Sequence, residues 1–420
     1  MTAWTEHAIW WHVYPLSATG APIRGGDRTP TPRLGTLIPW IDHLVALGCN
    51  GLLLGPLFQS TSHGYDTLDH FRIDPRLGDD ADFDALVEAC RQRGVRILLD
   101  GVFSHVGRDH PLLRQALDGG PGSPADALFH VDRSDPQAPR LPVFEGHEAL
   151  VRLDHGRQAA VDLTARVMTH WLERGIDGWR LDAAYSVSPD FWRRVLDGAG
   201  VRERFPQAWF LGEVIHGDYP DFVESSGIDS LTQYELWKAM WSSVLDWNFF
   251  ELDHALGRHN AFLEHFVPQT FVGNHDVTRV TSRVGVEGAL VALSVLMTVG
   301  GVPSIWSGDE VGLLGVKEER LGGDDAIRPA LPALPSELAR LTPEGTRVLR
   351  AHQDLIGLRR RHPWLHSART CTVELSNERM TYMAVAADDS ARLTVHLDVS
   401  TCPDVRIEDE GGTCLWSLRG

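Results

Sequence analysis

Eight short apolar runs, separated by stretches with helical periodicity, constrain the fold of this 420-residue chain more than any other feature. The alternation is typical of βα units built around a parallel sheet. The expected strands occupy residues 11–16, 51–54, 95–103, 176–182, 208–214, 230–234, 270–274 and 303–307. A barrel of eight such units accommodates about 250 residues or more as one domain. The sequence therefore predicts an α/β fold, the (β/α)₈ or TIM barrel.

Two of the intervening helices can be outlined from the sequence. Between the second and third runs, apolar residues from Phe83 to Cys90 recur with the period of an α-helix, with Asp80 as the expected N-cap and Gly94 as the stop. The almost wholly apolar segment 287–299 predicts a helix that is buried in the outer ring of the barrel.

Two other segments depart from the βα pattern. Residues 106–157 are rich in Gly, Pro, Asp and His and have no strong period. Loops of that length in a compact fold usually carry function, so we expect a small subdomain inserted after the third strand. After Pro363 the pattern changes to strand-like alternation, which predicts a small C-terminal β domain over 366–420. Residues 1–105 and 158–365 are then left for the barrel.

The composition narrows the class of partner. A formal net charge of −18 disfavours nucleic acid, whose phosphates the chain would repel. No apolar run approaches the roughly 20 residues that span a bilayer, and the first residues lack a signal-peptide pattern. Five scattered cysteines without a CxxC pair indicate neither a disulfide framework nor a zinc site. We therefore expect a cytoplasmic protein with no nucleic-acid or membrane partner, and leave its oligomeric state open.

Chemically active side chains follow one expected strand after another. They are Asp100 and His105 after the third strand, Arg180 and Asp182 on the fourth, Glu213 on the fifth, and His275 and Asp276 after the seventh. The carboxyl ends of barrel strands converge on one face, where such folds place their chemistry. Any one of these residues could be only a helix cap or a turn former. Their recurrence on four strands favours an active site.

The motifs that contain these residues resemble those of the α-amylase superfamily, glycoside hydrolase family thirteen, over nearly the whole chain. The four that match in order are Asp100-Gly101-Val102-Phe103-Ser104-His105, Gly178-Trp179-Arg180-Leu181-Asp182-Ala183-Ala184, Gly212-Glu213-Val214 and Phe271-Val272-Gly273-Asn274-His275-Asp276. His63-Gly64-Tyr65-Asp66 and Trp11-His12-Val13-Tyr14-Pro15 are similar to two further family signatures. The resemblance implies an enzyme on a TIM barrel that acts on α-glucosidic linkages.

The same resemblance implies roles for three carboxyl groups. Asp182 would be the nucleophile, Glu213 the acid/base, and Asp276 a ligand of the sugar hydroxyls that binds most tightly in the transition state. Retaining glycosidases hold the first two carboxyl groups about 5–5.5 Å apart, one to attack the anomeric carbon and one to move a proton. We expect that separation here.

Four substrate-binding residues are implied as well. Arg180 would keep the nucleophile ionised and oriented. His105 and His275 would hydrogen-bond the sugar, and Tyr65 would stack on its apolar face. Two structural alternatives stay open, namely that His105 is a core histidine and that Arg180 is only a barrel ion pair.

No cofactor and no metal are expected. Many calcium-dependent members of the superfamily have Asn where this chain has Ser104, and a hydroxyl is a poorer calcium ligand than an amide carbonyl. HxH and HExxH spacings, which would indicate a transition-metal site, do not occur in the sequence.

A further pair bears on the shape of the cleft. Asp66 and Arg328 resemble an ion pair that exo-acting members use to close the cleft behind the first sugar. If they pair, the site is a pocket that admits chain ends and disaccharides. Alternatively, Arg328 is simply a loop residue next to Pro329.

The sequence thus predicts a retaining glycoside hydrolase of the α-glucosidase or α-amylase type, acting on small oligosaccharides through a covalent glycosyl-enzyme intermediate. A transglycosylase or a disaccharide isomerase would share the same motifs, because both use that intermediate. A non-catalytic sugar-binding barrel is the alternative from another class. The three carboxylates argue against it, because barrels that lose catalysis lose these residues.

Overall fold

The computed structural model describes residues 3–135 and 138–419, with a parallel sheet of eight strands at its centre. In chain order the strands are β1 Trp10–Val13, β2 Gly51–Leu54, β3 Phe58–Ser60, β4 Thr67–Ile73, β5 Arg96–Gly101, β6 His105–Gly107, β7 Val143–Phe144, β8 His147–Arg152, β9 Gly178–Leu181, β10 Trp209–Gly212, β11 Ser230–Leu231, β12 Gln269–Phe271, β13 Val302–Trp306, β14 Arg369–Leu375, β15 Arg379–Val385, β16 Arg392–Asp398, β17 Asp404–Glu408 and β18 Cys414–Ser417.

Helices lie between the barrel strands. They are α1 Pro15–Ala18, α2 Ile38–Leu47, α3 Asp80–Gln92, α4 Pro111–Gly119, α5 Gln158–Glu173, α6 Pro189–Arg193, α7 Val201–Arg204, α8 Tyr219–Ser226, α9 Tyr234–Leu245, α10 Phe249–Leu263, α11 Val280–Thr298 and α12 Gly345–Arg361. The expected apolar helix is α11. In the described part of the chain it is the one helix long and apolar enough to cross a membrane, but it is mostly buried in protein, packed against α9 and α12.

The central strands form a barrel. Their order in the sheet is β11-β10-β9-β5-β2-β1-β13-β12, all parallel. The two ends of this series meet where Thr232 forms a parallel bridge with Gln269 and the amide of Gln233 donates to the Gln269 carbonyl at 2.9 Å. Each strand overlaps one of the eight expected apolar runs, and the predicted (β/α)₈ barrel is confirmed.

Aromatic rings fill the amino-terminal end of the barrel. Trp10 and Trp209, the first residues of β1 and β10, stack with ring centroids 5.8 Å apart. A Cβ atom on Gly51 would lie 2.3 Å from the Trp10 ring, so this position excludes any side chain. Packed rings therefore occupy the amino-terminal end of the barrel, and the polar residues of the motifs follow the strands at their opposite, carboxyl ends.

The start of α3 differs from the expectation by one residue. Its N-cap is Asp79 and not Asp80, because Asp79 has an extended backbone and its carboxylate accepts from the amides of Ala81 and Asp82. The Asp82 carboxylate in turn accepts from the Asp79 amide at 3.0 Å. This reciprocal capping box satisfies more free amides than a cap at Asp80 would.

The connection after β5 contains structure of its own. β6, β8 and β7 form a three-stranded antiparallel sheet in that order, and α4 lies between β6 and β7. The ring of Phe144 in β7 lies 4.6 Å from the ring of His105 in β6, which holds the β7–β8 hairpin over the carboxyl end of the barrel. We call the connection between β5 and α5 the loop subdomain.

The chain ends in an antiparallel sheet in which β14 to β18 are ordered consecutively. The Tyr382 and Thr298 hydroxyls share a buried hydrogen bond of 2.6 Å between this sheet and α11. The expected C-terminal β domain is therefore present.

Candidate active site

The polar side chains at the carboxyl ends of the barrel strands face one cleft. Its volume is about 450 Å³, and the loop subdomain forms one of its walls. Asp182, Glu213 and Asp276 line it, together with Tyr65 and His105. The structure thus brings together the three carboxyl groups that the sequence motifs identified.

Arg180 connects two of these carboxyl groups. One guanidinium nitrogen lies 2.9 Å from Asp182 Oδ1, and the other lies 2.6 Å from Glu213 Oε1. The first nitrogen also lies 2.7 Å from Asp100 Oδ1 on the neighbouring strand. Because Arg180 and Asp182 are two residues apart on β9 and at its end, their side chains point to the same face. Arg180 is therefore both a barrel ion pair and a residue that orients the nucleophile candidate.

Glu213 is held by two groups in addition to Arg180, and a third group holds one of these two. Its Oε2 accepts from the Ala183 amide at 2.9 Å, and its Oε1 accepts from the Tyr234 hydroxyl at 3.2 Å. The amide of Asn274 donates to the same hydroxyl at 2.8 Å. Ala183 has a left-handed backbone, with φ of 45°, a conformation that a non-glycine residue adopts only when its surroundings enforce it. That conformation turns its amide towards Glu213.

Asp276 is paired on both sides. His275 Nε2 lies 3.0 Å from Asp276 Oδ2, and a guanidinium nitrogen of Arg328 lies 2.8 Å from Oδ1. Arg328 also donates to the His275 carbonyl at 2.7 Å and lies 3.2 Å from Asp324. The guanidinium is stacked 4.7 Å from the centroid of Tyr14. Arg328 therefore fixes the loop that carries Asp276.

Of the two alternatives that the sequence left open for Arg328, the ion pair with Asp66 does not form. The Asp66 carboxylate instead accepts from the backbone and hydroxyl of Ser62, at 3.0 and 2.6 Å, and lies 3.9 Å from His63 Nε2. Arg328 uses its donors on Asp276, Asp324 and the His275 carbonyl. Asp66 thus caps its own turn, since side chains four residues apart reach each other at lower conformational cost than a distant arginine.

Tyr65 and the two histidines form a connected group. The Tyr65 ring is stacked on that of His275 at 5.6 Å, and its hydroxyl contacts His275 Nε2 and donates to Asp100 at 3.0 Å. His105 Nδ1 contacts the Ser104 hydroxyl at 2.7 Å, and Nε2 contacts the Tyr65 carbonyl at 3.0 Å. Because both His105 nitrogens have protein partners, a hydrogen bond from His105 to a sugar requires one of these contacts to break. In this structure, His105 positions Tyr65.

The electrostatics of the site follow from an excess of carboxyl groups over guanidinium groups. Burial raises the pKa of Asp182 well above its usual range; Arg180 opposes the shift, and repulsion from Glu213 adds to it. Burial also disfavours ionised Asp276, but His275, Arg328 and Arg180 outweigh it and hold its pKa well below the usual range. A cluster that retains one proton while keeping another carboxylate ionised is suited to acid/base chemistry.

Sequence reasoning missed Tyr234, Asn274 and Tyr14 as site residues, and it gave Asp100 no role. All four follow barrel strands or lie within a motif, so the rule that strand ends converge would have found them. The structure places no group of three or more His, Cys, Asp or Glu side chains suited to a metal ion within residues 3–135 and 138–419.

The catalytic-domain model of the α-amylase family matches residues 26–340. The chain therefore belongs to the α-amylase family and is a glycoside hydrolase.

Relatives of known activity are similar over most of the chain. A cyclomaltodextrinase from Bacillus sp is 29% identical over 430 residues, which cover 94% of this chain and 74% of the relative. An intracellular maltogenic amylase from Bacillus subtilis (strain 168) is 28% identical over 74% of this chain, but the match spans only 56% of that relative. A solved structure of the cyclic α-maltosyl-(1→6)-maltose hydrolase from Arthrobacter globiformis, in complex with its cyclic sugar, is 26% identical. It superposes with a TM-score of 0.80 and covers 94% of this chain and 91% of the solved chain.

Proposed function

We propose that this chain hydrolyses α-glucosidic linkages of small oligosaccharides with retention of configuration. The observation that carries the proposal is the double contact of Arg180, at 2.9 Å from Asp182 and 2.6 Å from Glu213, in the cleft that Asp276 also lines. The similarity to enzymes named for cyclomaltodextrins and for a cyclic maltosyl-maltose supports the substrate class. We also propose that the protein is cytoplasmic. In the proposed division of the chain, residues 1–105 and 158–365 form the barrel, 106–157 the loop subdomain and 366–420 the C-terminal β domain.

The residues would divide the reaction between them as follows. Burial raises the pKa of Asp182, so the reactive form is the one in which the contact with Arg180 at 2.9 Å keeps Asp182 ionised. In that form Asp182 attacks the anomeric carbon and forms a glycosyl-enzyme ester, while Glu213 protonates the departing glycosidic oxygen. Glu213 then removes a proton from the incoming water, which attacks the same carbon and releases Asp182. Asp276, ionised and held by Arg328, hydrogen-bonds the sugar hydroxyls as positive charge develops on the ring.

Transglycosylation or disaccharide isomerisation is the second candidate, because a sugar hydroxyl can replace water in the second step. Asp66 and Arg328 do not pair with each other, because Asp66 lies beside His63 and Arg328 pairs with Asp276. The ion pair that would have made the cleft a pocket for chain ends is therefore missing. The structure therefore favours neither exo nor endo action.

A substrate panel tests the proposal. Maltose, maltotriose, isomaltose, sucrose, trehalose, a cyclomaltodextrin and starch are each incubated with the purified chain, and products are separated by chromatography. Release of smaller α-glucosides or glucose supports hydrolysis, and longer products at high substrate concentration support transfer. Binding of sugar without turnover of any of these would favour the non-catalytic alternative.

A further inference from the structure

The tip of the β7–β8 hairpin lies at the cleft and contacts the barrel there. Glu145 and Tyr185 both line the cleft, and the Tyr185 hydroxyl donates to Glu145 Oε1 at 2.7 Å. Glu145 has a φ of 47° and the following Gly146 a φ of 79°, so the hairpin turns through two left-handed residues. Such a turn favours Asn or Gly at its first position, and an exposed glutamate there is strained. Its carboxylate reaches Tyr185 from this strained position.

Chemistry identifies the side of the cleft on which this pair lies. The group that protonates the glycosidic oxygen must lie beside the departing sugar, and that group is Glu213. Tyr185 is adjacent to it, because the Tyr185 amide donates to the Glu213 carbonyl at 3.2 Å. The Ala183 amide, two residues earlier, donates to the Glu213 carboxylate. Asp276, the proposed ligand of the sugar that becomes attached to Asp182, belongs to a different cluster, in which it pairs with Arg328 and Arg328 stacks on Tyr14.

We propose that Glu145 and Tyr185 bind the glucosyl unit released from the substrate, an inference that rests on the proposed function. Glu145 accepts hydrogen bonds from its free hydroxyls, and the Tyr185 ring contacts its apolar face. The hydrogen bond between the two residues holds the carboxylate in the cleft. Burial and the neighbouring Glu145 raise the pKa of Tyr185, so its hydroxyl keeps the proton that it donates.

The same pair decides how the glycosyl-enzyme ester is resolved. An acceptor sugar approaches the ester along the path by which the first sugar left, since each step reverses the geometry of the other. A site that binds a sugar there raises the local concentration of acceptor hydroxyl relative to water. Glu145 and Tyr185 thus determine both the choice of leaving sugar and the ratio of transfer to hydrolysis.

The test compares leaving groups with and without sugar hydroxyls. The variants are Glu145→Gln, Tyr185→Phe and the double substitution, each in the full chain. The substrates are the oligosaccharide that the unmodified chain cleaves fastest and the nitrophenyl glycoside of the same glycon. We expect each variant to lower kcat/KM for the oligosaccharide by about tenfold and for the nitrophenyl glycoside by less than about twofold. The double variant should lose no more than the more impaired of the two single variants, since the residues act as a pair.

Glu148→Gln is the matched control. Glu148 is on β8 of the same hairpin and pairs at 2.9 Å with Arg108, outside the residues that line the cleft. We expect Glu148→Gln to leave kcat/KM unchanged for both substrates. Equal losses on both substrates in the Glu145 and Tyr185 variants, or no loss on the oligosaccharide, would overturn the inference while leaving the proposed function standing. An unmodified chain that cleaves neither substrate would instead defeat the proposed function, and the inference with it.

Discussion

Replacing Arg328 with methionine should weaken catalysis through Asp276 and shift its pH dependence. Arg328 donates to Asp276 at 2.8 Å and to the His275 carbonyl at 2.7 Å, and its side chain is only 6% exposed. Methionine preserves much of the side-chain length but supplies no donor. Asp276 would then keep His275 and lose the guanidinium.

The size of the effect follows from the contact. A hydrogen bond to a charged group contributes about 1.5–3 kcal/mol. The Asp276 side chain is 33% exposed, so solvent screens the interaction and the lower end applies. A loss of about 1.5 kcal/mol corresponds to roughly tenfold in kcat/KM. Asp324, 3.2 Å from Arg328, would also lose its partner.

The pH dependence has a defined sign. The pKa of Asp276 is held below its usual range by His275, Arg328 and Arg180. The stabilisation from its ionised form is therefore present above the unfolded pKa and is lost as pH falls through the folded pKa. Without Arg328 the folded pKa of Asp276 rises, so activity and stability should both begin to fall at a higher pH than in the unmodified chain.

The assay is kcat/KM from about pH 3 to pH 8, with thermal melting over the same range. Arg320→Met is the control, because Arg320 lies in the same connection after β13 but is 65% exposed and pairs with Glu318. An acid limb that does not move in the Arg328 variant, or that moves equally in the control, would refute this account of Asp276.

Three other expectations concern the mechanism. Asp182→Asn and Glu213→Gln should each lower turnover to below about a tenth of the unmodified rate, with the melting temperature maintained. Azide should partly rescue the Glu213 variant on an activated substrate. A variant that keeps more than about a tenth of the unmodified rate would contradict the role given to that residue. A crystal structure should place the Asp182 and Glu213 carboxyl groups about 5–5.5 Å apart, and NMR should show the α-anomer first; an initial β-anomer would indicate inversion. A chelator should leave the melting temperature unchanged, because the Ser104 hydroxyl is a poorer calcium ligand than an amide carbonyl and already contacts His105 at 2.7 Å; a drop of many degrees would reveal a structural ion.

The barrel was predictable because burial follows hydrophobic periodicity closely. The run 51–54 coincides with β2, whereas the run 95–103 extends beyond β5, which ends at Gly101. The excess arises because Val102 and Phe103 remain buried after the hydrogen-bonded ladder has ended. The hydrophobic pattern of a sequence predicts which residues are buried. It does not predict where hydrogen bonding to a neighbouring strand ends.

The meeting of the candidate catalytic residues in one cleft was predictable because strand ends converge, but the partners of these residues were not. Arg328 could reach several carboxylates, and the choice of Asp276 over Asp66 depends on the path of a loop that follows β13. The contacts of His105 depend equally on Tyr65, which lies forty residues earlier in the chain. Sequence motifs name the residue types at a site, whereas the fold of the connecting segments decides which of them meet.

The closure of the barrel has a consequence for its motions. In the described residues β11 and β12 are joined by the one Thr232–Gln269 bridge, whereas β1 and β2 share four paired positions. Across this seam, Asn274 on one side donates to Tyr234 on the other, and Tyr234 in turn holds Glu213. Local opening begins where few backbone hydrogen bonds must break together, so amide exchange should be fastest at this seam among the barrel strands. Glu213, the proposed acid/base, is thus anchored to the part of the barrel where we expect the fastest exchange.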